Sequence, residues 1–228
     1  MRAEGDGQTS VLVIIFLMVL HAMEVPPQHR RLIINGHTLL DPQRYPYYVA
    51  IDKNNGDPFT PSVIVSGALI APDIVLSAGH VALSDLNNVT IKIGPFAVHE
   101  NESFSESMTV KSWLLYKNWT FLAPDRFGND YMIFQLSNKS THTPIRINRD
   151  VTYPKPGELV TIMGCGLMNE TYMSPSSYVQ QTKLLVISNE ECDMASDPAR
   201  PDKAYKGTIV ESMFCTKSPP NKQLTDGW

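Results

Sequence analysis

The stretch Val65–Val81, reading VSGALIAPDIVLSAGHV, constrains this chain more than any other. Two apolar runs, Val63–Ile70 and Ile74–Ala78, are each of strand length and rich in branched side chains. Ala71-Pro72-Asp73 lies between them and carries turn chemistry, so the pattern predicts two strands joined by a turn. His80 follows the second run directly, behind Ala78 and Gly79. A strand that ends in Ser-Ala-Gly lets backbone pack closely and turns the next side chain out of the sheet. Such a position suits a catalytic base, which must be held rigidly and still reach a substrate. The plain alternative is a satisfied loop histidine.

Further short apolar runs, at Tyr45–Ile51, Thr90–Ile93, Met108–Leu115 and Tyr131–Leu136, are also strand candidates. Turn-rich segments such as Asn54-Asn55-Gly56-Asp57-Pro58 separate them, and no long amphipathic helix interrupts the series. That punctuation predicts an all-β barrel or sandwich. With 228 residues, the chain has room for one large all-β domain or two small barrels. It is 43% hydrophobic and 18% charged with a formal net charge of −4, an ordinary soluble composition with no long charge run to recommend nucleic acid as a partner.

Residues 11–20, VLVIIFLMVL, form an unbroken apolar run. A bilayer span needs about 20 residues, so this run fits the apolar core of a secretory signal peptide, with a boundary expected near residue 22. An uncleaved anchor or a buried strand is the alternative. Asn-x-Ser/Thr acceptors occur at Asn88, Asn101, Asn118, Asn138 and Asn169, and with a signal-like start they favour an exported glycoprotein. Cys165, Cys192 and Cys215 allow one disulfide and one leftover thiol. No His/Cys cluster has metal-ligand spacing, so neither metal nor other cofactor is expected.

The segment around His80 resembles the catalytic-histidine segment of trypsin- and chymotrypsin-like serine proteases, where a Cys-Gly-Gly-Ser-Leu-Ile-type strand precedes Leu-Thr-Ala-Ala-His-Cys. Val65 and Val81 stand where that family usually has a disulfide pair, so both cysteines are lost together. Asn129-Asp130-Tyr131-Met132-Ile133-Phe134-Gln135-Leu136 is similar to the family's Asn-Asp-Ile-Ala-Leu-Leu segment, which implies that Asp130 is the triad aspartate for His80. An ordinary turn acid before a strand is the competing reading of Asp130. Arg30-Arg31-Leu32-Ile33-Ile34-Asn35-Gly36 resembles the family's activation junction. There a cut after a basic residue frees an Ile-Val-Gly-Gly-like terminus; Leu32 leaves a cut after Arg31 one residue away from Ile33. A basic surface turn is the alternative.

The resemblance continues beyond the Pro-rich stretch Thr141–Gly157, which reads as a linker between barrels. Glu158–Gly166 is similar to the strand that ends in Gly-Trp-Gly in the family, with Cys165 in place of the tryptophan. Val179–Ile187 continues as a strand into Ser188–Cys192, and the family pattern implies a Cys192–Cys215 bridge that leaves Cys165 as a buried thiol. Asp226 matches the base of the primary specificity pocket, where it would favour Lys or Arg, or else it is a turn acid before Gly227. The family's Gly-Asp-Ser-Gly-Gly-Pro segment would follow Trp228, and the 228 residues contain neither it nor a Gly-x-Ser-x-Gly elbow.

The expected organisation is a signal peptide (1–22), a short propeptide (23–32), a first β-barrel (33–145) and a partial second β-barrel (146–228). The fold class is all-β, two antiparallel Greek-key barrels of which the second is incomplete. The function implied is a secreted, zymogen-type, trypsin-like serine endopeptidase present without its serine segment. It would be a monomer acting on polypeptide, with no membrane span once the signal is removed. The alternative is a non-catalytic secreted homologue that binds a protein ligand; a third, unrelated possibility is a generic β-sandwich binding domain, which predicts no special geometry between His80 and Asp130.

Overall fold

The computed structural model describes residues 37–39, 41, 43–53, 63–83, 86, 89–95, 97, 103–117, 119, 129–165, 176, 178–197, 200–204, 207 and 209–220. All of them lie in the unit Arg31–Trp228. Six strands close a barrel: β2 (Tyr48–Lys53), β3 (Val63–Ala71), β4 (Ile74–Ser77), β5 (Val89–Ile93), β6 (Glu106–Leu115) and β7 (Met132–Leu136). Around the barrel they run β2-β3-β4-β7-β6-β5, every neighbouring pair antiparallel. Closure removes exposed sheet edges, and alternate residues then fill the interior. Val49 and Ile51, Ile91 and Ile93, and Met132 and Phe134 obey that alternation, and they are fully buried beside Leu69 and Val75. Val81 is buried in the same cluster and Val65, partly buried, packs against it, at the two positions where the family usually has a disulfide pair.

The β3–β4 turn falls at Pro72-Asp73, as the sequence predicts, and a register shift between Leu69 and Ala71 accommodates it. The first barrel strand differs from its sequence expectation. It starts at Tyr48 rather than Tyr45, because the Tyr48 N–H closes a turn on the Tyr45 carbonyl at 2.9 Å and Pro46 has no N–H to give a ladder. β2 is buried on both faces: Val49 and Ile51 point into the barrel, whereas Tyr48 and Ala50 pack outward against Leu39, Val179, Met163 and Cys165. That second contact is where the rest of the chain docks.

The docked half is an antiparallel sheet centred on β9 (Gln180–Ile187). β8 (Leu159–Gly164) pairs along the length of β9, while β1 (His37–Thr38) and β12 (Cys215–Lys217) each pair with one part of it. A hairpin of β10 (Ser196–Asp197) and β11 (Arg200–Ala204) stands apart. Thr141–Gly157 connects the two halves without a strand. The architecture is all-β, a closed barrel followed by a four-stranded sheet that is not closed among the described residues. No described helix is long and apolar enough to cross a membrane.

The strand expected over Val179–Ile187 is β9, and the Ser188–Cys192 segment it leads into forms a helix, α1 (Asn189–Met194). Ser188 caps it by accepting the Glu191 N–H at 3.1 Å, and Glu190 and Glu191 place negative charge at the N-terminus. Cys192 on α1 is bonded to Cys215 at the start of β12, with Cα atoms 6.1 Å apart. Closing this 23-residue separation should stabilise the fold by about 3 kcal/mol in the chain-entropy model. Urea unfolding of Cys192→Ala/Cys215→Ala is expected to show that loss; an unchanged midpoint would mean the bridge constrains nothing.

Cys165 is free and packs near Tyr48, with the Tyr48 hydroxyl 3.5 Å from Sγ. Burial pushes its thiol up to about 11, so it stays protonated and unreactive at neutral pH. Denatured, unreduced protein is expected to yield one free thiol. Native protein at mildly alkaline pH should be alkylated by iodoacetamide about a hundredfold more slowly than unfolded protein. Equal rates would show that Cys165 is exposed and activated.

Candidate active site

Antiparallel register brings the two candidate residues together. Ser77 at the end of β4 lies opposite Met132 at the start of β7. Three residues past Ser77 is His80, and two before Met132 is Asp130, so both leave the sheet at the same end of the barrel. A short 3-10 helix, Gly79–Leu83, begins there and carries His80. On the other side Asn129 adopts φ +58°, a left-handed conformation that asparagine tolerates better than most residues. That turn sets the entry into β7 from which Asp130 reaches across.

The Asp130 carboxylate holds His80 at two points. Oδ1 accepts the His80 backbone N–H at 2.7 Å, and Oδ2 lies 2.7 Å from Nδ1 of the ring. An ionised carboxylate only accepts, so the ring nitrogen facing it must carry the proton, and in the neutral ring Nε2 is left with a free lone pair. With backbone and ring tied to one carboxylate, the imidazole is fixed in position as well as in tautomer. The histidine side chain is 58% exposed and the aspartate 26%, so the ring is open to an incoming molecule while its anchor is shielded.

The neighbour that makes Gly79 necessary and a tyrosine pair beside it escaped the sequence reading. A Cβ on Gly79 would come within 3.0 Å of Asp130 Oδ1 and of Leu115 Cδ1, and 3.1 Å from the Tyr131 nitrogen, so the carboxylate reaches the His80 backbone through space that a larger residue would contest. Beside it the rings of Tyr116 and Tyr131 lie 4.8 Å apart, and the Tyr116 N–H donates to the Tyr131 carbonyl, tying the end of β6 to the start of β7. The direct Asp130-Tyr131 adjacency and the aromatic at the end of β6 were the available signals.

Arg31, Ile33, Asp226, Asn88, Asn101, Asn118 and Asn169 lie outside the described residues. Asn138 is exposed just past β7. Among the described residues, no group of three or more His, Cys, Asp and Glu could hold a metal ion.

The trypsin family model matches residues 33–227. This chain belongs to the trypsin family of serine proteases. It is 25% identical to duodenase-1 of Bos taurus over 218 residues, covering 88% of this chain and 82% of that one. It is also 25% identical to mast cell protease 3 of Ovis aries over 216 residues, covering 92% and 77%. Among solved structures, mouse neuropsin, a serine protease, superposes with a TM-score of 0.65 at 18% identity, covering 86% of this chain and 79% of that one. At that identity the likeness speaks for the chymotrypsin-like fold, in agreement with the closed barrel and the sheet behind it.

Proposed function

We propose that the chain is a trypsin-like serine endopeptidase domain in which His80 is the general base and Asp130 its orienting acid, acting on polypeptide outside the cytoplasm. The observation that carries the reading is the double hold of Asp130 on His80. A histidine with only a structural role needs neither a fixed tautomer nor a half-open ring. The Cys192–Cys215 bridge fits an oxidising compartment, and the apolar run 11–20 and the sequons fit export to one.

In acyl transfer, Nε2 of His80 takes the proton of an attacking serine hydroxyl and later gives it to the leaving amine. Asp130 keeps Nδ1 protonated and stabilises the imidazolium formed between those steps. The chemistry also needs a nucleophile and oxyanion donors, which the resemblance places in a Gly-Asp-Ser-Gly-Gly-Pro segment that the 228 residues do not contain. Loss of one oxyanion donor costs a working protease about 100- to 1000-fold, so without the serine as well nothing above background should remain.

A fluorophosphonate probe tests this. The 228-residue polypeptide is expected to stay unlabelled, with or without a cut after Arg31. A product whose sequence continues through a Gly-Asp-Ser-Gly-Gly segment is expected to label, and His80→Ala to abolish the labelling. Labelling of the shorter polypeptide that His80→Ala removes would mean that another serine is the nucleophile. Labelling of the longer product that survives His80→Ala would remove His80 from the role of base, and a longer product that stays unlabelled would end the reading and favour a binding protein.

A further inference from the structure

The connection between the two halves carries a self-bonded loop that the active site does not use. Asn148 Nδ2 donates to the Asp150 carbonyl at 3.0 Å and to the Tyr153 carbonyl at 2.7 Å, which closes the loop. The Asp150 N–H returns to Asn148 Oδ1 at 2.9 Å. Asp150 Oδ1 accepts the Thr152 N–H at 2.9 Å and the Thr152 hydroxyl at 2.7 Å. Lys155 N–H donates to Glu158 Oε2 at 3.0 Å just beyond. The shape is therefore built by the loop's own side chains, with little support from the core.

What this frame displays is apolar. Val151, near its tip, is 99% exposed, and Ile147 and Tyr153 on either side are about half exposed. Holding a valine fully in water on a rigid tip gives the folded protein nothing. Between residues 139 and 158 the chain also carries Lys139, Arg146, Arg149 and Lys155, all exposed, against the two acids Asp150 and Glu158. That leaves two positive charges in one segment of a chain whose formal net charge is −4. Among the described residues no ion pair engages any of the four.

We propose that the Asn148–Tyr153 loop docks the protein on an anionic lipid surface. Val151 enters the acyl boundary, Tyr153 sits at the headgroup level, and Arg146, Arg149 and Lys155 pair with lipid phosphates and carboxylates around it. An exposed apolar side chain with an aromatic two residues on and exposed cations at Arg146, Arg149 and Lys155 in the same segment suits a soft interface that closes around it. An acidic protein segment would be served by the cations alone and would leave Val151 without a role. The contact goes beyond the protease reading and stands or falls separately from it.

The test is vesicle co-sedimentation of the 228-residue polypeptide. Binding is expected to phosphatidylcholine vesicles containing phosphatidylserine, weak binding to phosphatidylcholine alone, and release at high salt. Val151→Asp should weaken binding about tenfold or more, the scale of one buried branched side chain. Arg149→Gln should weaken it about fivefold, the scale of one cation at an anionic surface. Met194→Asp, at another exposed apolar side chain on α1, should change nothing. Both loop side chains are solvent-exposed, so the variants should melt like the parent. Val151→Trp supplies a second readout: its emission should shift to the blue on binding and be quenched by brominated lipid. Failure to bind anionic vesicles at low salt overturns the proposal. So does binding that Val151→Asp leaves intact, or capture on an immobilised acidic peptide with no preference for vesicles, which would assign the cations to a protein partner.

Discussion

Asp130→Asn should lower kcat about 10⁴-fold in a serine-bearing form of this protein while leaving it folded, and the geometry dictates why. In the native site Oδ1 takes the His80 backbone N–H and Oδ2 takes the ring. An asparagine has one acceptor and one donor group in those two places. The backbone N–H cannot change its role, so the carboxamide oxygen must stay on it. The alternative flip would set the amide NH₂ against that N–H, two donors face to face. The NH₂ therefore faces Nδ1, which must become the acceptor. The proton moves to Nε2, the atom that should receive the serine proton. The base is disabled by a tautomer switch with little change in packing.

This mechanism can be checked without any serine. In the 228-residue polypeptide, ¹⁵N spectra of the ring are expected to show the proton on Nδ1 in the parent and on Nε2 in Asp130→Asn. In a serine-bearing form KM should change far less than kcat, because binding groups are untouched. An Nδ1 proton that persists in the variant, or activity within about tenfold of the parent, would show that Asp130 does not set the tautomer.

The barrel was largely legible in the sequence because its strands and turns follow from local patterns. Short apolar runs at Tyr45–Ile51 and Tyr131–Leu136, bounded by turn residues, specify strands, and Pro72-Asp73 specifies the turn. His80 and Asp130 were legible as a pair only through the family's order of motifs, since nothing local says that residues 50 apart will meet. What joins them is the β4–β7 register, a long-range property fixed by which apolar face turns inward. The helix at Asn189–Met194 was signalled by its Ser188 and Glu191 capping pattern, which the expectation for that segment, a cysteine match alone, left unused. β1 could not be read from its two residues, because it exists only by pairing with β9, more than a hundred residues away. Gly79 was legible as a small residue, but its reason, the approach of Asp130, required coordinates.

Phe134→Ala is expected to destabilise the protein by about 3–5 kcal/mol, the cost of a large cavity in a packed core. Phe134 is fully buried in the barrel interior, and its strand neighbours are Val75 on β4 and Trp113 on β6. Those strands cannot close over the space without leaving their registers, so the cavity should persist. A domain of ordinary stability has about 5–15 kcal/mol to lose, and the variant should therefore lie near the edge of folding. The effect should reach the site as well. β7 carries Phe134 inward and begins two residues after Asp130, so loosening it relaxes the strand that delivers the carboxylate to His80. The expected results are an early urea midpoint and, in the folded fraction, a less protected His80 N–H. Leu114→Ala on neighbouring β6, at a side chain that is 68% exposed, should shift stability by no more than about 0.5 kcal/mol. If Leu114→Ala proved the costlier of the two, the inward and outward faces of the barrel would be reversed. The register that joins His80 to Asp130 would then fail with them.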